Sequence, residues 1–282
     1  MAMTTNQATV AIPCYNGAAY IGRTIESVLH QSQPATEVLV IDDGSTDNSR
    51  QIIAQYPVRL VAHEQNKGLA TARNTAVSAT TTNILIFVDV DAFADYHLVE
   101  TLLSGYTGSQ IAGVGGQGIE SNINSLADRW RRTHASQGHG DKPKAVDYLY
   151  GLCMSYHTAV LQQIGGFDPI YRTNAEDVDM GLRLRAAGYQ LRYLPEAKVY
   201  HQRTDDQASL EHAMFNWYRA GYTARRRSQA APWRLFLGTA TRLLRDPAHD
   251  LWHERDLAMA YLSWRMGWIK LKAIWSAAQI QS

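Results

Sequence analysis

The chain has 282 residues, of which 45% are hydrophobic and 19% charged, and its formal net charge is +1. This composition is ordinary for a globular protein with a substantial core, and the near-neutral charge gives no general reason to expect nucleic-acid binding. No run of about eighteen apolar residues occurs, so we expect no transmembrane helix. The N-terminal segment lacks a basic region followed by an apolar one, so we expect no signal peptide.

Apolar segments that favour strands alternate with segments of helical spacing through the first hundred or so residues. The predicted strands are ATVAIP, TEVLVIDDGSTD, VRLVAHE and TNILIFVDVD, and the predicted helices are YNGAAYIGRTIESVLHQS, STDNSRQIIAQY, GLATARNTAVSAT and DYHLVETLLSGY. This alternation predicts βαβ units and a parallel sheet with helices on both faces. The pattern loosens after Gly105, where we predict a Gly-rich strand and a polar helix in SLADRWRRTHASQ. Further on we predict a helix in NAEDVDMGLRLRAAGYQLRYLP, with Gly188 after its end, and a last strand in KVYH.

Acidic pairs follow two of the predicted strands, with Asp42 and Asp43 after the second and Asp89 and Asp91 after the fourth. In such sheets ligands bind beyond the carboxyl ends of the strands, where both pairs are predicted to lie. Neighbouring carboxylates repel each other unless a cation lies close to them, and hard divalent cations prefer oxygen ligands. An isolated pair of acids would equally suit a turn or a helix cap.

Seven motifs can be read together with these acids. They are VAIPCYNGAAYIGRTIESVLHQS, EVLVIDDGSTDNS, NKGLATARNTA, ILIFVDVDA, GGFDP, AEDVDMGLRLRAAGY and VYH. In order and spacing, over roughly residues 8–204, the set resembles glycosyltransferase family 2. The resemblance implies an α/β fold of the GT-A type, with a Rossmann-like, mostly parallel sheet flanked by helices and, here, a helical C-terminal extension. It also implies an inverting, hexosyltransferase-like enzyme.

The resemblance implies a divalent metal ion, which would stabilise the negative charge that develops on the departing diphosphate. Asp91 is the expected protein ligand of Mn²⁺ or Mg²⁺, and Asp89 would face the ribose or the sugar. His201 would add to the metal shell, and imidazole suits Mn²⁺ better than Mg²⁺. A structural role for His201 and a loop-capping role for Asp89 stay open.

The resemblance also indicates where the nucleotide binds. Asp43 would accept a hydrogen bond from a base N–H, which uracil or thymine offers, so UDP is favoured while dTDP and GDP stay open. Tyr15 offers a flat face for stacking. The remaining residues expected at the nucleotide are Pro13, Asn16, Lys67 and Arg73. Without the resemblance, Asp43 would be a helix cap, Tyr15 a buried aromatic and the two basic residues a solvated pair.

Asp177 is the predicted general base. In an inverting transfer one base takes the proton from the acceptor hydroxyl during in-line attack, and no covalent enzyme intermediate is needed. The resemblance gives this role to the second acid of the Glu176–Asp177 pair, with Asp179 as the weaker alternative. Glu176 and Arg203 would contact the donor or its diphosphate. The residue pattern alone would make these acids stabilisers of a helix dipole.

The last part of the chain differs in charge from the rest. From Phe215 onward there are eleven Lys and Arg against four Asp and Glu, a net charge of +7, so the preceding residues carry −6. Most of the Trp residues also lie there. We therefore predict a catalytic domain over residues 1–204 and a basic, Trp-rich helical extension over 205–282. Basic amphipathic helices with Trp are typical of membrane interfaces, but packing on the catalytic domain or a homodimer interface stays open.

The sequence thus predicts an inverting, metal-dependent glycosyltransferase that moves a sugar from a nucleoside-diphosphate donor to an acceptor hydroxyl. The alternative is an inactive nucleotide-binding or partner-binding protein on the same fold, which loss of Asp91 or Asp177 would mark; both are present. The acceptor stays open among glycan, lipid-linked glycan, protein and small molecule. Cys14 and Cys153 form no metal or redox motif, which predicts free thiols and a cytoplasmic location, peripheral to the inner face of the membrane if the extension binds it.

Overall fold

The computed structural model describes residues 7–279 and shows an α/β protein with a helical C-terminal region. The strands are β1 (Ala8–Cys14), β2 (Glu37–Asp42), β3 (Arg59–Ala62), β4 (Ile84–Val88), β5 (Ala92–Ala94), β6 (Ile111–Glu120), β7 (Lys144–Val146), β8 (Cys153–His157) and β9 (Gln190–His201). The helices are α1 (Ile21–Leu29), α2 (Ser49–Ile53), α3 (Leu69–Ala79), α4 (Leu98–Ser104), α5 (Leu126–His134), α6 (Thr158–Gln163), α7 (Glu176–Ala186), α8 (Gln207–Arg227), α9 (Pro232–His249) and α10 (Leu257–Gln279), with a π-helical turn, Asp250–Glu254, after α9.

The strands form one sheet in the order β3-β2-β1-β4-β8-β6-β9-β5, and β7 pairs with β9. Strands β1 to β4 are parallel to one another, as the alternation of strands and helices predicts. Strand β8 then joins β4 in the antiparallel sense, β6 pairs antiparallel with β8, and β5 and β7 pair antiparallel with β9. The loosened sequence pattern after Gly105 therefore corresponds to antiparallel pairing rather than to further βαβ units.

Alternate residues of the central strands supply two hydrophobic cores, one on each face of the sheet. Val10 and Ile86 point into the core that α1 and α4 cover, whereas Leu39 and Phe87 point into the core that α3, α6 and α7 cover. A strand that is buried on both faces needs apolar residues at successive positions, which explains the continuous run ILIFV in β4. The predicted sheet with helices on both faces is confirmed.

The helix predicted in NAEDVDMGLRLRAAGYQLRYLP ends before Gly188, as expected. Helix α7 ends at Ala186, and Gly188 follows in a left-handed conformation with φ of +88°. Glycine adopts this conformation without steric strain, so the chain can leave the helix there. Strand β9 begins at Gln190 and shows the alternating burial of a half-buried strand, so the last strand is much longer than KVYH.

The described residues divide into two compact units. One comprises the described residues up to Ile119 together with Gln137–Gln202, and the other comprises Glu120–Ser136 together with the described residues from Arg203 onward. Helix α5 thus belongs to the C-terminal unit, where its Trp130 packs in a core with residues of α8 and α10. The assignment of catalysis to residues 1–204 and of a separate role to 205–282 stays a prediction.

Candidate active site

The loops after β1 and β2 lie side by side because these strands are parallel and Cys14 pairs with Asp42 at their carboxyl ends. The amide of Asp43 donates to the Cys14 carbonyl at 2.8 Å. Asn16 has a left-handed backbone with φ of 51°, and its side-chain oxygen accepts from the Thr46 amide at 2.8 Å. Tyr15 lies between Cys14 and Asn16 in the chain and exposes 48% of its surface, so its ring is available to a ligand rather than buried.

Asp43 is buried and heavily hydrogen-bonded. Its Oδ1 accepts from the Lys67 amide at 2.9 Å and lies 2.6 Å from His63 Nδ1, while Oδ2 accepts from the Gly68 amide at 2.8 Å. A carboxylate offers about four acceptor sites, so Oδ2 keeps one for a further donor. Asp43 therefore fixes the loop before α3 and retains the capacity to bind one N–H group of a base.

Asp89 and Asp91 follow β4, as predicted, and the second of them meets His201. Strand β5 pairs with β9 so that Ala92 lies opposite His201. This register brings Asp91 Oδ2 within 3.2 Å of His201 Nε2. One carboxylate oxygen and one imidazole nitrogen at this separation suit a divalent cation such as Mn²⁺, which accepts both oxygen and nitrogen ligands. The residues present therefore fit the metal that the sequence predicts.

Arg73 joins three parts of the site. The guanidinium is fully buried, forms an ion pair with Glu176 and donates from Nη2 to Asp89 Oδ1 at 2.9 Å and to the Gly151 carbonyl at 3.1 Å. Gly151 has no room for a side chain, because a Cβ atom there would come within 2.8 Å of Arg73 Nη2. Arg73 has no surface with which to touch a nucleotide in this conformation. It bonds to Asp89 and Glu176, and its expected place at the nucleotide stays a prediction.

Asp177 lies in the first turn of α7, two residues after a strained residue. Ala175 has a left-handed backbone with φ of 71°, a conformation that non-glycine residues rarely adopt without a structural or functional reason. The Gly151 amide donates to Asp177 Oδ2 at 3.0 Å and the Val178 amide donates to Oδ1 at 2.7 Å. The side chain is half-buried, so its orientation is fixed while part of its surface stays accessible.

Burial raises the pKa of three carboxyl groups in this cluster. Removal from water is the largest cause in each case, and the positive charge of Arg73 opposes it. The pKa of Glu176 is raised to about 7, and the pKa values of Asp89 and Asp177 are raised as well. Perturbed acids that share one cation are frequent at functional sites.

The structure brings most of the predicted site residues to the carboxyl ends of the parallel strands and the adjoining helices. Lys67 is exposed there, and Pro13 is buried in β1. Asp179, the weaker candidate base, is buried and bonded to Arg183 at 2.7 Å, so an ion pair occupies its carboxylate. Arg203 belongs to the C-terminal unit, where its Nε donates to Asp205 at 3.1 Å.

Sequence reasoning missed two residues that shape the site. His63 follows β3 and contacts Asp43, and its place at the carboxyl end of a parallel strand was the available signal. Gly151 supports both Arg73 and Asp177 through its backbone. Nothing in its sequence context indicates this, because the contacts involve backbone atoms that any residue has. The need for glycine arises only from the packing of Arg73.

Comparison with known proteins gives a match to the family model "Glycosyl transferase family 2" over residues 9–165. The matched range ends before α7, so Asp177 and His201 lie outside it. A pre-mycofactocin glycosyltransferase of Mycobacterium tuberculosis is 30% identical over 204 residues, which cover 68% of this chain and 42% of that protein. A validoxylamine A glucosyltransferase of Streptomyces hygroscopicus is 27% identical, covering 74% of this chain and 58% of the relative. The chain thus spans about half the length of these relatives.

A solved structure supports the fold over nearly the whole chain. The mannosyltransferase PcManGT of Pyrobaculum calidifontis, determined in complex with GDP-Man and Mn²⁺, superposes with a TM-score of 0.70 at 18% identity and covers 99% of this chain and 89% of its own. At this level of identity the likeness concerns the fold alone, and it confirms the GT-A type of sheet and helices.

Proposed function

The chain belongs to glycosyltransferase family 2, and from that premise we propose that it transfers a sugar, with inversion, from a nucleoside-diphosphate donor to an acceptor hydroxyl. The observation that carries the proposal is the cluster at the carboxyl ends of the strands. It combines the Asp91–His201 pair with an oriented, half-buried Asp177 and an anchored Asp89.

The nucleotide would bind against the loops after β1 and β2. Tyr15 offers an exposed ring for stacking, and Asp43 Oδ2 has one acceptor position left for a base N–H. Uracil and thymine present such a group, which favours a UDP-sugar, with dTDP-sugars next. The exposed Lys67 would contribute positive charge near the diphosphate. The PcManGT complex holds GDP-Man, so guanine nucleotides belong in the same test.

Asp91 and His201 would hold the divalent metal ion. When bound, such an ion offsets the charge that develops on a departing diphosphate. The protein's part would be to keep the two donor atoms together through the β5–β9 register. Mn²⁺ is the preferred ion because it accepts the imidazole more readily than Mg²⁺ does.

Asp177 would act as the general base. The acceptor oxygen attacks the anomeric carbon, the bond from that carbon to the diphosphate breaks with its electron pair leaving on the diphosphate, and the acceptor proton passes to the Asp177 carboxylate. Two backbone N–H groups orient this carboxylate. Burial raises its pKa, which makes it a stronger base than an exposed aspartate. Asp89, held by Arg73, would contact the ribose or the sugar.

The matched pair Asp177→Asn and Asp179→Asn tests this assignment. Both replace one acid by its amide in the first turn of the same helix, but Asp179 is already paired with Arg183. We expect Asp177→Asn to lower the rate of transfer by about 10²- to 10⁴-fold while donor binding is kept, and Asp179→Asn to stay within about tenfold of the wild type. Near wild-type turnover by Asp177→Asn would show that another group is the base.

The C-terminal unit presents an aromatic surface that bears on location. Trp264, Trp268 and Trp275 are 48%, 52% and 62% exposed, on the face of α10 opposite its buried residues. Over residues 7–279, no helix combines the length and apolarity needed to cross a bilayer. We infer that this face, in a region with a net charge of +7 from Phe215 onward, binds the surface of an anionic membrane from the cytoplasmic side.

Cosedimentation with vesicles tests the membrane proposal. We expect the wild type to bind phosphatidylglycerol vesicles and not phosphatidylcholine vesicles, and the double variant Trp264→Ala/Trp268→Ala to lose that binding. The matched control is Tyr96→Ala, which removes an equally exposed aromatic residue from the other unit. Equal binding by the double variant would contradict the proposal. A dimer in light scattering that the double variant abolishes would assign this face to a homodimer instead.

A further inference from the structure

A cluster of metal-ligating side chains lies in the C-terminal unit, outside the proposed active site. It consists of His134 at the end of α5, His249 at the end of α9 and Asp250 at the start of the π-helical turn. One donor atom from each lies within 4.8 Å of the others. His134 Nε2 is 2.7 Å and His249 Nδ1 is 3.5 Å from Asp250 Oδ1. We call these residues the His-His-Asp cluster.

The groups behind the cluster hold its two buried members in fixed orientations. Ser263 donates to the second oxygen of Asp250 at 2.5 Å, and the Trp130 indole N–H donates to the Ser263 hydroxyl at 2.7 Å. The other ring nitrogen of His134 faces Asp246 Oδ2 at 4.0 Å. Metal-bound histidines commonly direct their second nitrogen towards a carboxylate, and ligating carboxylates are hydrogen-bonded in turn. Both features are present here, since the second nitrogen of His134 faces Asp246 and Asp250 accepts a hydrogen bond from Ser263.

Burial and charge also favour a cation here. The side chain of Asp250 has no exposed surface, and those of His134 and Asp246 are 6% and 9% exposed. Asp246 is paired with Arg245 at 3.3 Å, whereas the carboxylate of Asp250 contacts the two histidines and the Ser263 hydroxyl. An uncompensated charge in a region mostly removed from water is costly. The buried ammonium of Lys270 is directed at the rings of Trp130 and Tyr218. A divalent cation between His134 and Asp250 would balance the negative charge of the buried Asp250 carboxylate.

The third member of the cluster gives access from solvent. The side chain of His249 is 43% exposed and lines a shallow cleft with Arg245, Trp252 and His253. The backbone at Asp250 is π-helical, an irregularity that occurs mostly in single turns and frequently at functional sites. His249 and Asp250 are adjacent in sequence, and their donor atoms approach to 3.5 Å at this turn.

We propose that His134 Nε2, His249 Nδ1 and Asp250 Oδ1 bind one Zn²⁺ ion that links α5 to the end of α9. Two imidazoles and a carboxylate are typical zinc ligands, and water from the cleft would complete the tetrahedron. Donor atoms in such a site are about 3.4 Å apart, given metal–ligand bonds of about 2.1 Å. The His249–Asp250 separation already matches, whereas the hydrogen-bonded His134–Asp250 pair must open by about 0.7 Å. This site is independent of the proposed sugar transfer.

The test uses the 282-residue chain in an Asp91→Asn background, so that the Asp91–His201 pair does not contribute a metal site. Chelator-treated protein is titrated with Zn²⁺ and with Co²⁺, and bound metal is measured by mass spectrometry after dialysis. We expect one equivalent of Zn²⁺, visible absorption typical of tetrahedral Co²⁺, and a higher melting temperature in Zn²⁺ than in chelator. Adding His249→Gln should weaken binding at least tenfold and remove the shift in melting temperature.

His212→Gln is the matched control, since His212 is an exposed histidine of the same unit. It should bind Zn²⁺ as the parent does. His249 is partly exposed, so its replacement is not expected to unfold the chain, and a circular dichroism spectrum checks this. Two results would overturn the proposal. They are the absence of a zinc equivalent in the parent, which would leave the cluster as a hydrogen-bonded contact between helices, and unchanged binding by the His249→Gln variant.

Discussion

Replacing Arg73 by Met tests whether the buried guanidinium holds the acids of the site together. Met has a similar length but removes the charge and the hydrogen bonds to Glu176, Asp89 and the Gly151 carbonyl. Breaking a buried ion pair by removing one partner costs about 3–5 kcal/mol, because the remaining charge is left uncompensated. We expect the free energy of unfolding to fall by about this amount near pH 8.

The loss should depend on pH in a defined direction. The folded-state pKa of Glu176 is raised from 4.5 to about 7. A raised carboxyl pKa means that the folded state binds the proton more tightly, so this group's contribution to stability falls as pH rises from 4.5 to 7. The positive charge of Arg73 opposes the rise in the pKa of Glu176, so the pKa is higher still in Arg73→Met. The stability of that variant therefore continues to fall as the pH rises above 7. The deficit of Arg73→Met should therefore grow by as much as about 1.4 kcal/mol per pH unit above neutrality.

Urea denaturation at pH 6 and pH 8 measures both effects. Arg59→Met is the control, because Arg59 pairs with Glu37 at the surface and its loss should cost about 1 kcal/mol or less. The double variant Arg73→Met/Glu176→Gln should recover part of the loss, since it removes one of the uncompensated acids. A loss of stability in Arg73→Met no larger than in Arg59→Met, or an equal deficit at both pH values, would show that the buried guanidinium does not hold these acids.

Two further predictions concern single positions. Glu176→Gln should flatten the dependence of stability on pH between pH 5 and pH 7, because it removes the acid with the raised pKa. If the free energy of unfolding, measured by urea denaturation, changes with pH as steeply as in the wild type, another group than Glu176 titrates in this range. Gly44→Ala should destabilise the protein clearly more than Gly188→Ala in thermal melts. Both glycines have positive φ, which costs roughly 1–2 kcal/mol for alanine, but a Cβ at Gly44 would lie 2.4 Å from the Gln65 carbonyl carbon, whereas Gly188 faces open space. Equal decreases in melting temperature would show that the backbone at Gln65 and Asn66 shifts to make room for the added Cβ atom.

The parallel half of the fold could be predicted from sequence because its signals are local. A strand buried on both faces needs a continuous apolar run, and ILIFV in β4 supplies one. The antiparallel half could not be predicted in the same detail. Strand β6 contains four glycines in ten residues, and its pairing depends on contacts with β8 that no local pattern reveals. The exit from α7 at Gly188 was visible, but not the start of β9 two residues later.

The candidate site shows the same division. Asp89, Asp91 and Asp177 were identified from motifs, and the structure places each at a strand end or in the first turn of a helix. The burial of Arg73 could not be predicted, because a basic residue in a helix of small side chains is usually solvated. The His-His-Asp cluster joins residues more than a hundred positions apart, and only the folded C-terminal unit brings them together.

The most direct test of the proposed nucleotide-sugar site is calorimetric titration of the full chain with UDP, dTDP and GDP, each in Mn²⁺ and in EDTA. We predict that one nucleotide binds in Mn²⁺, and that its affinity falls at least tenfold in EDTA. The Asp91→Asn variant should show the same loss in Mn²⁺, while His249→Gln should bind as the wild type does. Binding of none of the three nucleotides, or binding indifferent to both chelation and Asp91→Asn, would contradict a metal-dependent nucleotide-sugar site.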